Sequence, residues 1–280
     1  MTKLMMRPIR LPTLLRVLDK IVTYEKLNEQ SPAVENIRKE LNKSRNRMKE
    51  IILELKRMNL TCVEMKENTE ILKSTRWGRK IILSWEKGNI KDIHSILFQN
   101  CKPYKYLIEA IKKYGPVDID TINEKLRDMM TLPTIDSCLT WSITLNVVQY
   151  PILSNNIKKR YYYVLDREIA YRDFIKCLIE NYNKLSKQKK DVTIELNMLR
   201  EMVCLELKIS RELFRKYLER YYIENPKKVY LYGGPPSLDI GGSMKNKIIR
   251  LESKKKIIYI DYQEGINIFG INKKYIRIKR

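Results

Sequence analysis

The chain has 280 residues, 44% of them hydrophobic, and a formal net charge of +23. This length accommodates two or three small domains, and the low counts of 9 Gly and 10 Pro argue against long disordered stretches. A charge so far from zero is typical of proteins that bind a polyanion, above all nucleic acid. The alternative interpretation is a lysine-rich composition without functional meaning.

The five cysteines stand far apart without a C-x-x-C pair, at positions 62, 101, 138, 177 and 204. This spacing argues against zinc fingers and against a disulfide framework, and it favours buried thiols in a reducing compartment. We therefore predict no metal site and no cofactor. No apolar run approaches the length of a membrane span, and the first residues lack the apolar core of a signal peptide. The sequence predicts a soluble cytoplasmic protein, associated with the nucleoid and without a membrane partner.

A first domain is predicted over residues 8–97. It opens with an amphipathic helix over 11–24. Ser31, followed by Pro32, is expected to cap a short second helix, and Ser44 is expected to cap a third. The third helix places four apolar residues on one face, Met48, Ile51, Ile52 and Leu55.

A hairpin follows these helices, with strands predicted over 60–65 and 70–72, and Ser74 is expected to cap the next helix. Three helices, a hairpin and a helix opening with Gly-Arg resemble the winged-helix superfamily. In that superfamily a segment of the form L-T-x-x-G-R-x-x-L often closes the domain. The residues in those places here are Leu72, Ser74, Gly78, Arg79 and Ile82.

The same pattern recurs in outline over 98–166 and 167–280. The second domain has helices over 104–114, after Asp118 or Asp120, and after Pro133, then two strands around a turn at 154–156. The third has helices over 167–184 and 193–207 and a helix capped by Ser210, then several strand-like runs. The predicted fold class is α+β, mainly helical, with tandem winged-helix-like units, short β wings and a C-terminal β-rich wing or small sheet. The alternative is one irregular α+β fold.

Charge is distributed unevenly among these domains. Residues 1–100 carry a net charge of +9, residues 101–166 of +2 and residues 167–280 of +12. The outer domains are therefore predicted to bind the polyanion. The near-neutral middle domain is predicted to act as a spacer or to mediate self-association.

The helix after Ser44 presents basic side chains and an amide near its start, where helix-turn-helix proteins contact the edges of nucleobases. Arginine can bind guanine, and asparagine can bind adenine, through two hydrogen bonds each. The predicted reading residues are Ser44, Arg45, Asn46, Arg47 and Lys49. Phosphate contacts are predicted for Lys66, Asn68, Arg76 and Arg79, and in the third domain for Arg211, Arg215, Lys216, Lys254, Lys255 and Lys256. The alternative for Arg215 and Arg220 is pairing with Glu212, Glu219 or Glu224 on the same helix.

The sequence contains no P-loop, G-x-G-x-x-G, G-x-S-x-G or H-E-x-x-H motif, and we predict that the protein is not an enzyme. The leading hypothesis is a sequence-specific double-stranded DNA-binding protein, either a transcriptional regulator or a replication initiator. The sequence is weakly similar to those of archaeal winged-helix initiators. A second copy of the chain and replication or transcription proteins are further candidate partners. One alternative is a polymerase- or chromosome-associated tandem winged-helix factor that binds protein. Another, less favoured, is a metal-dependent nuclease that uses Glu64 and Lys66.

Overall fold

Short amphipathic helices and small antiparallel sheets form the chain over residues 3–150, 160–165, 169–189, 191–233 and 266–279, which the computed structural model describes. The described residues up to Val164 make up one unit, the N-terminal unit, and those from Leu165 onward make up a second, the C-terminal unit. Each unit has its own hydrophobic core. The predicted mainly helical α+β class is confirmed.

The N-terminal unit holds eight helices and four strands among its described residues. Its helices are α1 (Leu11–Asn28), α2 (Val34–Glu40), α3 (Arg45–Arg57), α4 (Arg76–Glu86), α5 (Ile90–Asn100), α6 (Lys102–Tyr114), α7 (Ile119–Leu126) and α8 (Leu132–Thr144). Its strands are β1 (Thr61–Lys66), β2 (Thr69–Ser74), β3 (Val148–Gln149) and β4 (Tyr163–Val164). The predicted boundary between residues 97 and 98 falls inside α5, a helix that the sequence analysis did not predict. One continuous core runs from Met6 to Tyr162.

The C-terminal unit combines three helices with a small sheet and a separate hairpin. Its helices are α9 (Tyr171–Leu185), α10 (Leu196–Leu207) and α11 (Arg211–Glu224). Its strands are β5 (Ile194–Glu195), β6 (Val229–Tyr232), β7 (Ile266–Ile268), β8 (Ile271–Lys273) and β9 (Tyr275–Ile278). Strand β9 lies between β5 and β6, and it is antiparallel to both.

One order of elements occurs three times along the chain. A helix is followed by a short extended segment, two helices and two antiparallel strands, and the extended segment pairs with the later of those two strands or just before it. In the third occurrence these two strands are β6 and β9, and the hairpin of β7 and β8 stands between them. The three pairings are Ala33 with Ile71, Val117 with Tyr162, and Ile194 with Ile276. The three sets of helices are α1–α3, α6–α8 and α9–α11.

Several predicted helix starts are confirmed, because their caps are in place. The side-chain oxygens of Ser44, Asp118 and Ser210 each accept a hydrogen bond from the backbone N–H three residues later. Such caps satisfy N–H groups that the first helical turn leaves unpaired.

Two predicted caps are wrong. Helix α2 begins at Val34, because the Pro32 carbonyl accepts a hydrogen bond from the Leu72 N–H at 2.8 Å and holds the chain extended beside β2. Helix α4 is capped by Thr75, because Ser74 is the buried last residue of β2 and bonds to the carboxylate of Glu25. In the C-terminal unit, the predicted helix over 193–207 begins only at Leu196, after strand β5.

An extended segment at the start of the N-terminal unit, residues 4–9, is held between α3 and α8. We call it the N-terminal strap. On the α8 side, the Met6 N–H donates to Thr134 Oγ1 at 2.9 Å, and Trp141 Nε1 donates to the Ile9 carbonyl at 2.9 Å. On the α3 side, the Arg7 N–H donates to Glu54 Oε1 at 3.1 Å, and Arg57 donates to the Met5 carbonyl at 2.9 Å. The strap therefore ties together two helices that are far apart in sequence.

The cysteines are all free, and four of the five are buried. Cys101 and Cys138 each lie against the thioether of Met6, with sulfur–sulfur distances of 3.7 and 3.5 Å. Cys62 is partly exposed at the edge of β1. In the ranges that the structure covers, no helix combines the length and apolar character needed to cross a bilayer.

Candidate nucleic-acid interface

Helix α3 directs one face into the core and the opposite face to solvent. Met48, Ile51 and Leu55 are at most 1% exposed. Because residues three or four apart share a helix face, this stripe fixes the orientation of the whole helix. The solvent face consequently carries Arg45, Asn46 and Lys49.

The exposed bases of α3 differ in how strongly they are engaged. Arg47 is paired with Glu50 at 2.9 Å. Within the described residues, neither Arg45 nor Lys49 has a carboxylate within ion-pair distance, 4.0 Å. Of the predicted reading residues, Arg45, Asn46 and Lys49 therefore remain available for an external anion or base.

The turn before α3 is fixed by one guanidinium group. Arg38 Nε donates to Glu35 at 2.7 Å, and Arg38 Nη1 donates to the Lys43 carbonyl at 2.9 Å. The hydrogen bond from Arg38 lowers the pKa of Glu35 below its usual value. These bonds join α2 to the residues immediately before Ser44, so they position the start of α3.

The hairpin of β1 and β2 ends in a two-residue turn, Glu67–Asn68, with both residues in the left-handed region at φ 48° and 62°. This is the backbone geometry of the tight hairpin turns that match strand twist. Lys66 and Asn68 are exposed at the tip, as the phosphate-contact prediction requires. Residues 61–74, however, contain two lysines and three glutamates, so the hairpin carries a net negative charge.

The predicted phosphate contacts on α4 fall into two kinds. The Arg76 guanidinium lies 4.7 Å from the centre of the Trp77 ring, and Lys80, an exposed base that the sequence analysis did not single out, lies 5.9 Å from it. Arg79 instead donates to the Ser74 carbonyl at 3.1 Å. Arg76 therefore stays an exposed cation, whereas Arg79 helps to join the start of α4 to β2.

Helix α4 also explains the glycine of the closing motif. A Cβ added at Gly78 would lie 2.1 Å from the Leu60 carbonyl oxygen. Only glycine allows this helix to approach the start of β1 so closely. The role of Gly78 is thus packing of the domain and not contact with a ligand.

The predicted bases on α11 are all in ion pairs. Arg211 donates through Nε and Nη2 to the two oxygens of Glu201 at 2.8 and 2.7 Å, and Glu201 is fully buried. Arg215 pairs with Glu212 and Glu219 at 2.6 and 2.7 Å, and Lys216 lies 4.0 Å from Glu212. The hydrogen bond from Arg215 lowers the pKa of Glu212.

These contacts favour the intrahelical alternative for Arg215, and Arg220 likewise pairs with Glu224 at 2.8 Å. The pairing of Arg211 with Glu201 on α10 was not foreseen. The remaining predicted contacts of the third domain, Lys254, Lys255 and Lys256, lie outside the described residues.

Helix α8 holds the same place in the repeated order as α3, but it carries no lysine or arginine. Thr134, Cys138 and Trp141 form one buried face, which the N-terminal strap covers. Ile135, Leu139 and Ser142 form a second buried face. The remaining face is exposed, but its only charged residue is the acidic Asp136. Helix α8 therefore offers no cation to the phosphates of a DNA groove.

The residues of the nuclease alternative are not arranged around a metal. Glu64 is exposed and lies 3.6 Å from Lys73. Over the described residues, no three His, Cys, Asp or Glu side chains are grouped so that they could hold a metal ion. The single histidine, His94, has its Nδ1 3.0 Å from the Tyr104 hydroxyl, next to the core.

Comparisons with known proteins add no family: no protein-family model and no curated protein matches this sequence.

Proposed function

We propose that this protein binds double-stranded DNA through tandem winged-helix units, and that α3 reads base edges in the major groove. One observation carries the proposal. Arg45, Asn46 and Lys49 stand on the solvent face of a side-chain-capped helix, and the described residues offer no ion-pair partner to Arg45 or Lys49.

The order of the elements supports the winged-helix assignment. Three helices, a two-stranded hairpin and a helix that opens with Gly-Arg are the arrangement on which the sequence resemblance rests, and α1–α3, β1, β2 and α4 follow in that order. In such domains the second helix of the helix-turn-helix pair enters the major groove. In the N-terminal unit that helix is α3, and the turn before it is fixed by Arg38.

The chemistry of the α3 face suits duplex DNA. Arginine matches the two acceptors of guanine, and asparagine matches the donor and acceptor of adenine. The unpaired N–H groups of the first turn and the helix dipole favour nearby phosphate. Arg76 and Lys80 are proposed to bind the backbone, which supplies affinity but carries no sequence information.

The middle helices α6–α8 are proposed to act as a spacer, because α8 carries no lysine or arginine and the strap covers one of its faces. The role in the cell is proposed to be regulation of transcription or marking of a replication origin. Both roles require the same sequence-specific duplex binding.

A salt titration of the full chain with random duplex DNA tests this proposal. The logarithm of the association constant should fall linearly with the logarithm of salt concentration, by about 0.9 per phosphate contacted. Selection of preferred duplexes from a random pool should then yield a defined site. An absence of duplex binding even at low salt would contradict the proposal and favour the protein-binding alternative.

A further inference from the structure

The solvent face of the β5–β9–β6 sheet combines aromatic rings with cations. In the antiparallel register Tyr230 lies opposite Arg277, and Tyr232 lies opposite Tyr275. Directly opposed residues point to the same side of a sheet, as do residues two apart on one strand. Lys279 therefore joins the other four on this side.

The opposite side of the same strands is the core side. Val229, Ile276 and Ile278 are at most 5% exposed. Tyr275 and Lys279 are exposed, and Tyr230, Tyr232 and Arg277 are partly exposed. Apolar core residues thus alternate with polar and aromatic residues along these strands, and the polar and aromatic residues face solvent.

The cations of this face are held by rings and not by carboxylates. The Arg277 guanidinium lies 4.9 Å from the centre of the Tyr230 ring and 5.7 Å from that of Tyr232, and Lys279 lies 5.1 Å from the Tyr230 ring. Arg277 Nε is buried without a hydrogen-bond partner, and the described residues place no carboxylate at ion-pair distance from Arg277 or Lys279. Among the described residues, Arg277 and Lys279 therefore form no ion pair, in contrast to the basic residues of α11.

Positive charge near this face comes from other residues besides Arg277 and Lys279. Lys227 and Lys228, both exposed, precede β6, and the Lys279 N–H donates to the Lys228 carbonyl at 2.8 Å. Glu195, opposite Tyr275 on the edge strand β5, is the acidic member of the face. The net charge of residues 167–280 is +12, so the environment favours a polyanion.

We infer that this face, called here the tyrosine face (Tyr230, Tyr232, Tyr275, Arg277 and Lys279), binds an unpaired nucleic-acid strand. Tyrosine rings stack on nucleobases of any sequence, while lysine and arginine side chains contact the phosphates. A duplex encloses the faces of its nucleobases, so aromatic rings on a sheet surface favour an unpaired strand. This inference goes beyond the duplex reading proposed for α3 and does not depend on it.

Fluorescence anisotropy of the full chain, with a labelled thymidine strand, a uridine strand of equal length and a duplex, tests the inference. Tyr275→Leu should weaken binding of the single strand by about 5- to 150-fold, because one stacked base is lost. Duplex affinity should be unchanged. Tyr275→Phe, which keeps the ring, should retain single-strand binding. The matched control is Tyr114→Leu, since Tyr114 is exposed like Tyr275 and lies in a basic environment, with Lys113 at 5.1 Å and Lys125 at 5.9 Å from its ring centre.

The cations give a second readout that does not depend on ring packing. Lys279→Gln should reduce the slope of single-strand binding against salt by about 0.7, the value for one phosphate of a single strand. Lys113→Gln, the control on the N-terminal unit, should leave that slope unchanged.

Single-strand affinity within twofold of wild type for both Tyr275→Leu and Lys279→Gln would overturn the inference. So would an equal loss of duplex and single-strand binding in Tyr275→Leu with an unchanged melting temperature, because that result indicates a general phosphate surface. Equal affinity for thymidine and uridine strands would support stacking alone. A preference for uridine would support stacking together with contact to the 2′-hydroxyl. Loss of duplex binding in α3 variants tests the proposed function separately.

Discussion

Helices α3 and α11 are each capped by a serine and begin with an arginine, and they hold the same place in the repeated order of elements, yet their basic side chains differ in availability. Arg45 is exposed, and the described residues provide no carboxylate within ion-pair distance. Arg211 is bound through two hydrogen bonds to the buried carboxylate of Glu201. The formal charge of a helix is therefore a poor measure of the charge that it can offer to a ligand.

Helix α8 extends the comparison, since it lacks bases altogether and is packed on two faces. Of these three helices, α3 offers cations to solvent, α11 has its cations paired with carboxylates, and α8 has no cations. Residues 1–100 and 167–280 carry more net positive charge than residues 101–166. Among the three helices, however, only α3 presents this excess as available cations. On the C-terminal unit, the available cations lie on the sheet and not on the helix.

Replacement of Arg211 by alanine should have the largest effect on stability. Without this guanidinium, the buried carboxylate of Glu201 loses its two hydrogen bonds from Arg211 and keeps Arg200 at 2.7 Å. Removing one partner of a buried ion pair costs about 3–5 kcal/mol, because the other charge is left uncompensated. Urea unfolding of the C-terminal unit, followed by circular dichroism, measures this loss. Stability within 1 kcal/mol of wild type, a threshold of about one surface ion pair, would contradict a structural role for Arg211.

Replacement of Asn46 or Arg45 by alanine should affect DNA binding and leave stability unchanged. Loss of one two-bond base contact reduces discrimination at a single base pair by about 1–3 kcal/mol. Competition between the selected duplex and single-base-pair variants measures this for each residue. Lys112→Gln is the control, because it removes an exposed charge from α6 of the same unit. A uniform loss for all duplexes would indicate phosphate contact without base reading.

Replacement of Glu54 by glutamine should change the pH dependence of stability. Burial raises the pKa of Glu54 above the ordinary value of 4.5, although Arg7 and Arg57 donate hydrogen bonds to it. The folded state therefore binds this proton more tightly than the unfolded state. The stability that the protonated Glu54 contributes is fully present below the pKa that Glu54 has in the unfolded chain. It is lost as pH rises through the pKa that Glu54 has in the folded protein.

Glutamine keeps an acceptor for the strap but does not titrate. The stability of the variant relative to wild type should therefore increase as pH rises from 4.5 through the raised pKa. Thermal unfolding at a series of pH values measures the difference. Parallel curves for the two proteins would show that Glu54 does not titrate in this range.

Replacement of Arg215 by alanine should have the smallest effect. Its partners Glu212 and Glu219 lie on the same helix near the surface, and exposed ion pairs contribute about 0–1 kcal/mol. Duplex affinity should also be unchanged, because the cation is already neutralised. A marked loss of DNA binding in this variant would remove the distinction between α3 and α11.

Local patterns in the sequence predicted much of the fold. The caps at Ser44 and Ser210 and the apolar stripe of Met48, Ile51 and Leu55 depend on residues a few positions apart, which a sequence displays directly. The exposed position of Arg45 and Asn46 follows from the same periodicity. The three-domain division of the chain stays a prediction.

Features that depend on distant residues could not be predicted. Pro32 looks like the start of a helix, but its carbonyl pairs with β2, forty residues later. Glu201 lies among apolar residues of α10, and only the crossing of α10 with α11 decides that Arg211 reaches it. Alternation in VYLY and YIRIK indicated strands, but the tyrosine face arises only when the register places those strands side by side.

The N-terminal strap has a consequence for the order in which the protein forms. Met6 bonds to a residue 128 positions later, and Ile9 to one 132 positions later. During synthesis the strap leaves the ribosome before α8, and its binding surface on α8 exists only after Trp141 has been made. Contacts of such long sequence separation form slowly. Docking of the strap is therefore a late step of biosynthesis, and until then the apolar face of α8 around Cys138 and Trp141 lacks this cover.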